Sequence, residues 1–136
     1  MVFGTFDFLH RGHLNFFKQA KKYGKKLIVV VARDVNVKKA KRHLPKFSEK
    51  KRLENIKKIK LVTKAILGDK KDYFKVIKKE KPDVICLGYD QKMKILLLKK
   101  KLKKIGLVKT EVYRLSAYKP QIYKSSRLKI KQKVSS

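Results

Sequence analysis

Cysteine, tryptophan and proline are nearly missing from this chain: one, none and three in 136 residues. The lone thiol, Cys86, excludes an intramolecular disulfide and any cysteine-based zinc cluster, and it suits a reducing compartment. No apolar run approaches the ~20 residues a membrane-spanning helix needs. The opening Met1-Val2-Phe3-Gly4-Thr5 lacks the basic and apolar regions of a secretion signal, so a cytoplasmic, soluble protein is expected. Acidic residues are also scarce, 10 against 40 lysines and arginines, for a net charge of +30. Such a charge draws polyanions without any built site. The lysines recur along the whole chain, however, and far outnumber the arginines that make bidentate phosphate contacts. Solvated lysine enrichment is therefore one reading and nucleic-acid binding its competitor. What is present in quantity is hydrophobic sequence, 43% of the chain, enough for a core. The expectation is one domain over 1–136, with a polar, basic tail from about residue 120.

Strand-type apolar runs alternate with amphipathic segments. Residues 1–3 read as the stub of a first strand. Leu14, Phe17 and Ala20, with Phe16 at the edge, give a helical stripe over 14–23 that Gly24 would stop. The continuous run 27–32, Leu-Ile-Val-Val-Val-Ala, suits a strand buried on both faces of a parallel sheet. Residues 34–47 read as a polar, basic connection. Ser48 opens a helix without a capping box, since Lys51 holds the glutamate position. A strand over 61–67, a helix over 72–80 with Tyr73, Phe74, Val76 and Ile77 inward, a strand over 83–87, a helix over 92–105 and a strand over 107–115 complete the series. This alternation predicts an α/β, Rossmann-like fold: a parallel sheet with helices on both faces. Ligands of such sheets bind beyond the carboxyl ends of the strands. Polar or glycine-bearing loops fall there at Gly4-Thr5-Phe6-Asp7, Arg33-Asp34 and Gly88-Tyr89-Asp90-Gln91.

The first of these loops carries the chemistry. His10 and His13 are three apart with Gly12 between them, and at a helix start that spacing puts both imidazoles on one face. Gly12 would let a ligand approach the backbone. The helix N-terminus would add unpaired N–H groups and partial positive charge. The set suits a phosphate that gains charge in a transition state. A metal held by the two histidines is a competing reading, with Asp7 the nearest carboxylate in sequence, but the set is no recognised zinc motif. A structural histidine pair is another. A Walker A loop is excluded by the missing Gly-Lys-Ser/Thr ending.

Gly4-Thr5-Phe6-Asp7 followed by His10-Arg11-Gly12-His13 resembles the signature of the cytidylyltransferase-like nucleotidyltransferases, Rossmann-like enzymes that include glycerol-3-phosphate cytidylyltransferase and pantetheine-phosphate adenylyltransferase. Further segments extend the likeness: Val31-Ala32-Arg33-Asp34, Ala65-Ile66-Leu67-Gly68-Asp69, the stretch 81–91, Arg114-Leu115-Ser116-Ala117-Tyr118 and Ser125-Ser126. Over nearly its full length the chain is similar to archaeal-type FAD synthetases. That resemblance implies transfer of AMP from ATP to FMN with release of pyrophosphate, a divalent cation, Mg²⁺, and a homodimer. It also implies that Thr5 and Phe6 contact ATP, and that His10 and His13 are catalytic, binding the phosphates within a loop that includes Arg11 and Gly12. Asp90 and Tyr118 would lie at the nucleoside end. Ser125 and Ser126 would open a C-terminal helix facing the triphosphate.

Each of these assignments has a plainer reading beside it: Asp90 as a helix cap, Tyr118 as a core or surface aromatic, Ser125 and Ser126 as simple caps. Asp7 reads as structural, tying the loop together. Lys38, Lys39 and Lys41 are equivalent candidates for extra positive charge at the phosphates. The chain departs from the family pattern in its short first strand and in the basic helix after Gln91, where Lys92, Lys94 and Lys99 to Lys101 stand. Two alternatives follow: a cytidylyltransferase acting on a small phosphorylated alcohol such as glycerol 3-phosphate, and a non-catalytic nucleic-acid-binding protein on this fold.

Overall fold

A computed structural model describes residues 1–118; the tail, with Ser125 and Ser126, lies outside the described residues. The elements run β1 (Val2–Gly4), α1 (Arg11–Lys21), β2 (Ile28–Val31), α2 (Asp34–Lys41), α3 (Glu49–Lys57), β3 (Lys64–Leu67), α4 (Tyr73–Glu80), β4 (Val84–Leu87), α5 (Ile95–Lys104) and β5 (Glu111–Arg114). β1 pairs with β2, β2 with β3, and β4 with β5, all parallel. The two ladders meet where Cys86 N–H donates to the Met1 carbonyl at 3.0 Å and Met1 N donates to the Val84 carbonyl at 2.8 Å. The spatial order is therefore β3-β2-β1-β4-β5, and the direction of travel reverses between β1 and β4.

Alternation along the strands sorts side chains into two cores. Val2, Val29, Val31, Ala65 and Cys86 face one way and pack with Phe17 and Ala20 of α1 and Ile56 of α3. Phe3, Val30, Ile85, Leu87 and Val112 face the other and pack with Ile77 of α4 and Leu98 and Leu102 of α5. A strand with helices on both sides must be apolar at every position, which is why 27–32 reads as an unbroken run.

The observed elements correct several boundaries. Residues 34–47 are not simply a connection, because α2 occupies Asp34–Lys41. Its one buried side chain is Val37, so it carries almost no apolar period to read. Arg42, at φ 65° in the left-handed region, ends it. α1 begins three residues earlier than the apolar stripe, at the His10 cap, and Leu14 is 41% exposed rather than inward. Tyr73 is likewise at the surface, stacked on Phe3 at 4.8 Å. β3 and β5 are shorter than their apolar runs. Leu61 and Val62 pack on the first core from outside the strand.

Candidate active site

Where the strand order reverses, the loops after β1 and β4 part and leave a cleft of about 930 Å³, the position expected for ligands of an open parallel sheet. Its lining includes Thr5, Phe6, Asp7, Phe8, His10, Gly12, His13, Lys41, Asp90 and Tyr118. The structure thus brings together most of the residues expected from the sequence. Arg11 is exposed and is not among the lining side chains.

The two imidazoles stand 4.0 Å apart, 33° from parallel. They form a reciprocal cap on α1: His10 Nδ1 accepts the Gly12 N–H at 3.0 Å, and His13 Nδ1 accepts the His10 N–H at 3.2 Å. A ring that accepts at Nδ1 carries its neutral proton on Nε2, so each histidine turns an Nε2–H donor away from the helix. This changes one expectation. The amides of Gly12 and His13 are not available to a phosphate, because they donate to His10 Nδ1 and to the His10 carbonyl.

Gly12 lines the cleft, and its missing side chain meets a second need. A Cβ built there would stand 2.8 Å from Cε1 of the His10 ring. The missing side chain makes room for His10. We expect Gly12→Ala to push that ring off its cap and lower kcat at least tenfold, with a modest stability loss. Enzyme kinetics alongside thermal melting will check it; wild-type kcat would refute the steric claim.

Burial, with the neighbouring His10, lowers the His13 pKa to about 4, against a smaller opposing pull from Asp90. The ring is neutral at ordinary pH. Unfolded histidine titrates near 6.5, so between that value and about 4 the unfolded chain binds more protons than the folded one. Stability from His13 is complete above pH ~6.5 and is lost as pH falls toward 4. An NMR titration of the His13 ring is expected to show its midpoint near 4; a midpoint above 6 would contradict the buried, neutral ring.

The floor of the site is aromatic. Phe6, at φ 55°, turns its ring inward and is 5% exposed. It packs edge-on against His13 at 5.5 Å and covers Gly4, where a Cβ would lie 2.6 Å from Cζ. Thr5 contributes its carbonyl to Arg52 Nη1 at 2.9 Å. On the β4 side, Gln91 joins the two strand ends, accepting the Gly88 N–H at 2.8 Å and donating to the Phe3 carbonyl at 2.7 Å. Arg114 holds the same loop through the carbonyls of Gly88, Gln91 and Met93. Asp90 does not cap a helix: α5 starts at Ile95 with Lys94 as its N-cap. Tyr118 is half-buried in the segment that Gln19 seats, through bonds to both N and O of Ser116. Among Lys38, Lys39 and Lys41, only Lys41 lines the cleft.

Asp7 acts as the structural residue its position suggested. Its carboxylate accepts the N–H groups of Lys46 (2.7 Å) and Phe47 (2.8 Å). Burial alone would raise its pKa, but these two bonds, with Arg52 and Lys41 nearby, hold it below the usual carboxylate value. The residue that sequence reasoning missed is Arg52. Its side chain is fully buried and donates to the carbonyls of Phe47, Thr5 and Ala32 and, at 2.7 Å, to Asp34. It ties the ends of β1 and β2 to the loop before α3. In sequence it is one cation in a lysine-rich helix, and its only distinguishing mark is being an arginine there.

Among the described residues no group of three or more His, Cys, Asp or Glu could hold a metal, and no helix is long and apolar enough to cross a membrane.

Paired imidazoles at a helix start, over a cleft at the reversal of a Rossmann-like sheet, define a nucleotidyltransferase. Comparison with known proteins agrees: residues 1–132 match the family model described as Cytidylyltransferase-like, and the chain belongs to that family. Among its relatives, an FAD synthase of Methanosarcina mazei is 49% identical over 106 residues, 76% of this chain and 68% of that protein. An FAD synthase of Archaeoglobus fulgidus is 49% identical over 79% of this chain and 77% of its own length, and one of Thermoplasma volcanium is 44% identical over 79% and 75%. A crystal structure of a Thermoplasma volcanium protein described as a lipopolysaccharide core biosynthesis protein superposes with a TM-score of 0.82 at 42% identity, covering 88% of this chain and 96% of that one. The resemblance and fold class read from the sequence are thereby borne out.

Proposed function

We propose that this chain transfers AMP from ATP to FMN, forming FAD and pyrophosphate. The observation that carries the chemistry is the pair of imidazoles that line the cleft, each held through its Nδ1 by a bond at the start of α1. The FAD synthase relatives support FMN as acceptor. A phosphate oxygen of FMN attacks the α-phosphorus of ATP, the bond to the bridging oxygen of the β-phosphate breaks, and pyrophosphate leaves. The nucleophile is already an anion at neutral pH, so no general base is required. What the protein must do is hold two anions in line and stabilise the charge that builds on the α-phosphoryl oxygens. In this reading His10 and His13 donate to those oxygens, and Asp90 and Tyr118 border the nucleoside. Thr5 and Phe6 form the floor, and Arg11 joins the nucleotide-binding set, as do Ser125 and Ser126, which lie outside the described residues. The long-range field of a +30 chain draws both substrates in.

A divalent cation, which we take to be Mg²⁺, would supply charge neutralisation on the triphosphate. The lining carboxylates are Asp7, already bonded to two backbone N–H groups, and Asp90. The cation would therefore be held chiefly by the phosphates and water.

Pyrophosphate release measured with ATP or CTP against FMN or glycerol 3-phosphate tests the proposal. FAD formation from ATP and FMN is expected. Turnover only with CTP and glycerol 3-phosphate would replace it with the cytidylyltransferase reading. Tight, steeply salt-dependent nucleic-acid binding that survives loss of both histidines, with no turnover, would favour the binding-protein reading.

A further inference from the structure

The cleft has two chemically different walls. After β4 and β5 come Tyr89, Asp90, Ser116 and Tyr118, a wall of hydroxyls and a carboxylate suited to ribose and an amino-bearing base. After β1 comes Phe8, pure hydrocarbon, and Lys41 is the one lysine or arginine lining the cleft among the described residues. Phe8 is 58% exposed, yet its surroundings are fixed. It packs against Phe47 at 5.3 Å and 61°. Phe47 is pinned at both ends of its peptide unit: its N–H goes to Asp7, the residue before Phe8, and its carbonyl accepts from Arg52. An aromatic ring left open to water on so rigid a mount is preorganised for a planar partner.

We propose that Phe8 is the stacking face for the isoalloxazine ring of the acceptor, with Lys41 binding the acceptor's phosphate. This rests on the FMN-adenylylating reading above, and it assigns the acceptor half of the site. A small phosphorylated alcohol would gain nothing from such a wall, so Phe8 is a determinant of acceptor choice. The apolar dimethylbenzene edge of a flavin matches the hydrocarbon of Phe8 and Phe47. The flavin phosphate would then lie toward Lys41, whose ammonium acts on the adjoining Asp7.

The test is calorimetric titration of FMN, riboflavin and ATP, separately, into the wild-type chain and into Phe8→Ala, Phe8→Leu, Phe8→Trp and Lys41→Ala. Phe8→Ala and Phe8→Leu are expected to weaken FMN and riboflavin by the same factor, about tenfold or more from lost stacking, and to leave ATP unchanged. Phe8→Trp is expected to restore flavin binding. Lys41→Ala is expected to weaken FMN and spare riboflavin, which has no phosphate. Because Phe8 is exposed, the leucine variant keeps the fold even if the alanine variant melts early. Unchanged flavin affinity in both Phe8→Ala and Phe8→Leu, or a loss that falls on ATP instead, would overturn the assignment. A wild-type chain that neither binds FMN nor forms FAD would instead overturn the reaction on which it rests.

Discussion

His10→Asn and His13→Gln are each expected to reduce kcat by roughly 10²–10³, the loss seen when one donor to a transition-state oxyanion is removed. Alanine would be the less informative choice, because both rings also cap α1. His10 is the N-cap and His13 the third helical residue, the positions where Asn and Gln serve as ordinary capping residues. Asn can still accept the Gly12 N–H and Gln the His10 N–H, so the helix start survives while each Nε2–H is lost. The expected pattern is a large fall in kcat with kcat/KM for ATP falling in parallel, as when an interaction made only in the transition state is lost. The melting temperature should stay near the wild-type value. The alanine variants should lose the same activity and about 1 kcal/mol of stability besides. If the cap-preserving variants turn over within a few-fold of wild type, the histidines are structural and the mechanism fails.

Arg52→Met is expected to destabilise the chain by about 3–5 kcal/mol, the cost of leaving a buried charge network without one partner. Whole domains are stable by only about 5–15 kcal/mol, so this is a large share. The removed guanidinium satisfies three carbonyls, just after β1, just after β2 and in the loop before α3, and half-neutralises a carboxylate network in which Asp34 and Glu49 also bind each other's backbone N–H. For a chain of this size the melting temperature should fall on the order of 10–20 °C. Arg52→Lys should recover little. An ammonium is a point charge with three donors on one atom, and it cannot span acceptors that the planar fork reaches from three nitrogens. A loss below about 1 kcal/mol in thermal or denaturant unfolding would show that the network is not what holds the cleft's floor.

The two variants also mark the line between what could be read from the chain and what could not. The His10–His13 loop was legible because its chemistry is local: two rings three residues apart at a strand-to-helix junction share a face whatever surrounds them. The strand run at 27–32 was legible for a similar reason, since a buried parallel strand needs apolar residues on both sides. Helix α2 was not, because a short helix held by Val37 alone leaves no periodic trace. Nor was the true occupant of the space above Gly12, since a missing Cβ does not say what fills its place.

By itself the sequence determined the fold class and the position of the paired-histidine loop, because each depends on residues close together along the chain. Only the tertiary structure decided which lysine reaches the cleft and why Arg52 stands in a lysine-rich helix. Those depend on atoms brought together from distant segments, such as Thr5, Ala32, Asp34, Phe47 and Arg52. Their meeting is set by strand order and packing, which no local pattern encodes.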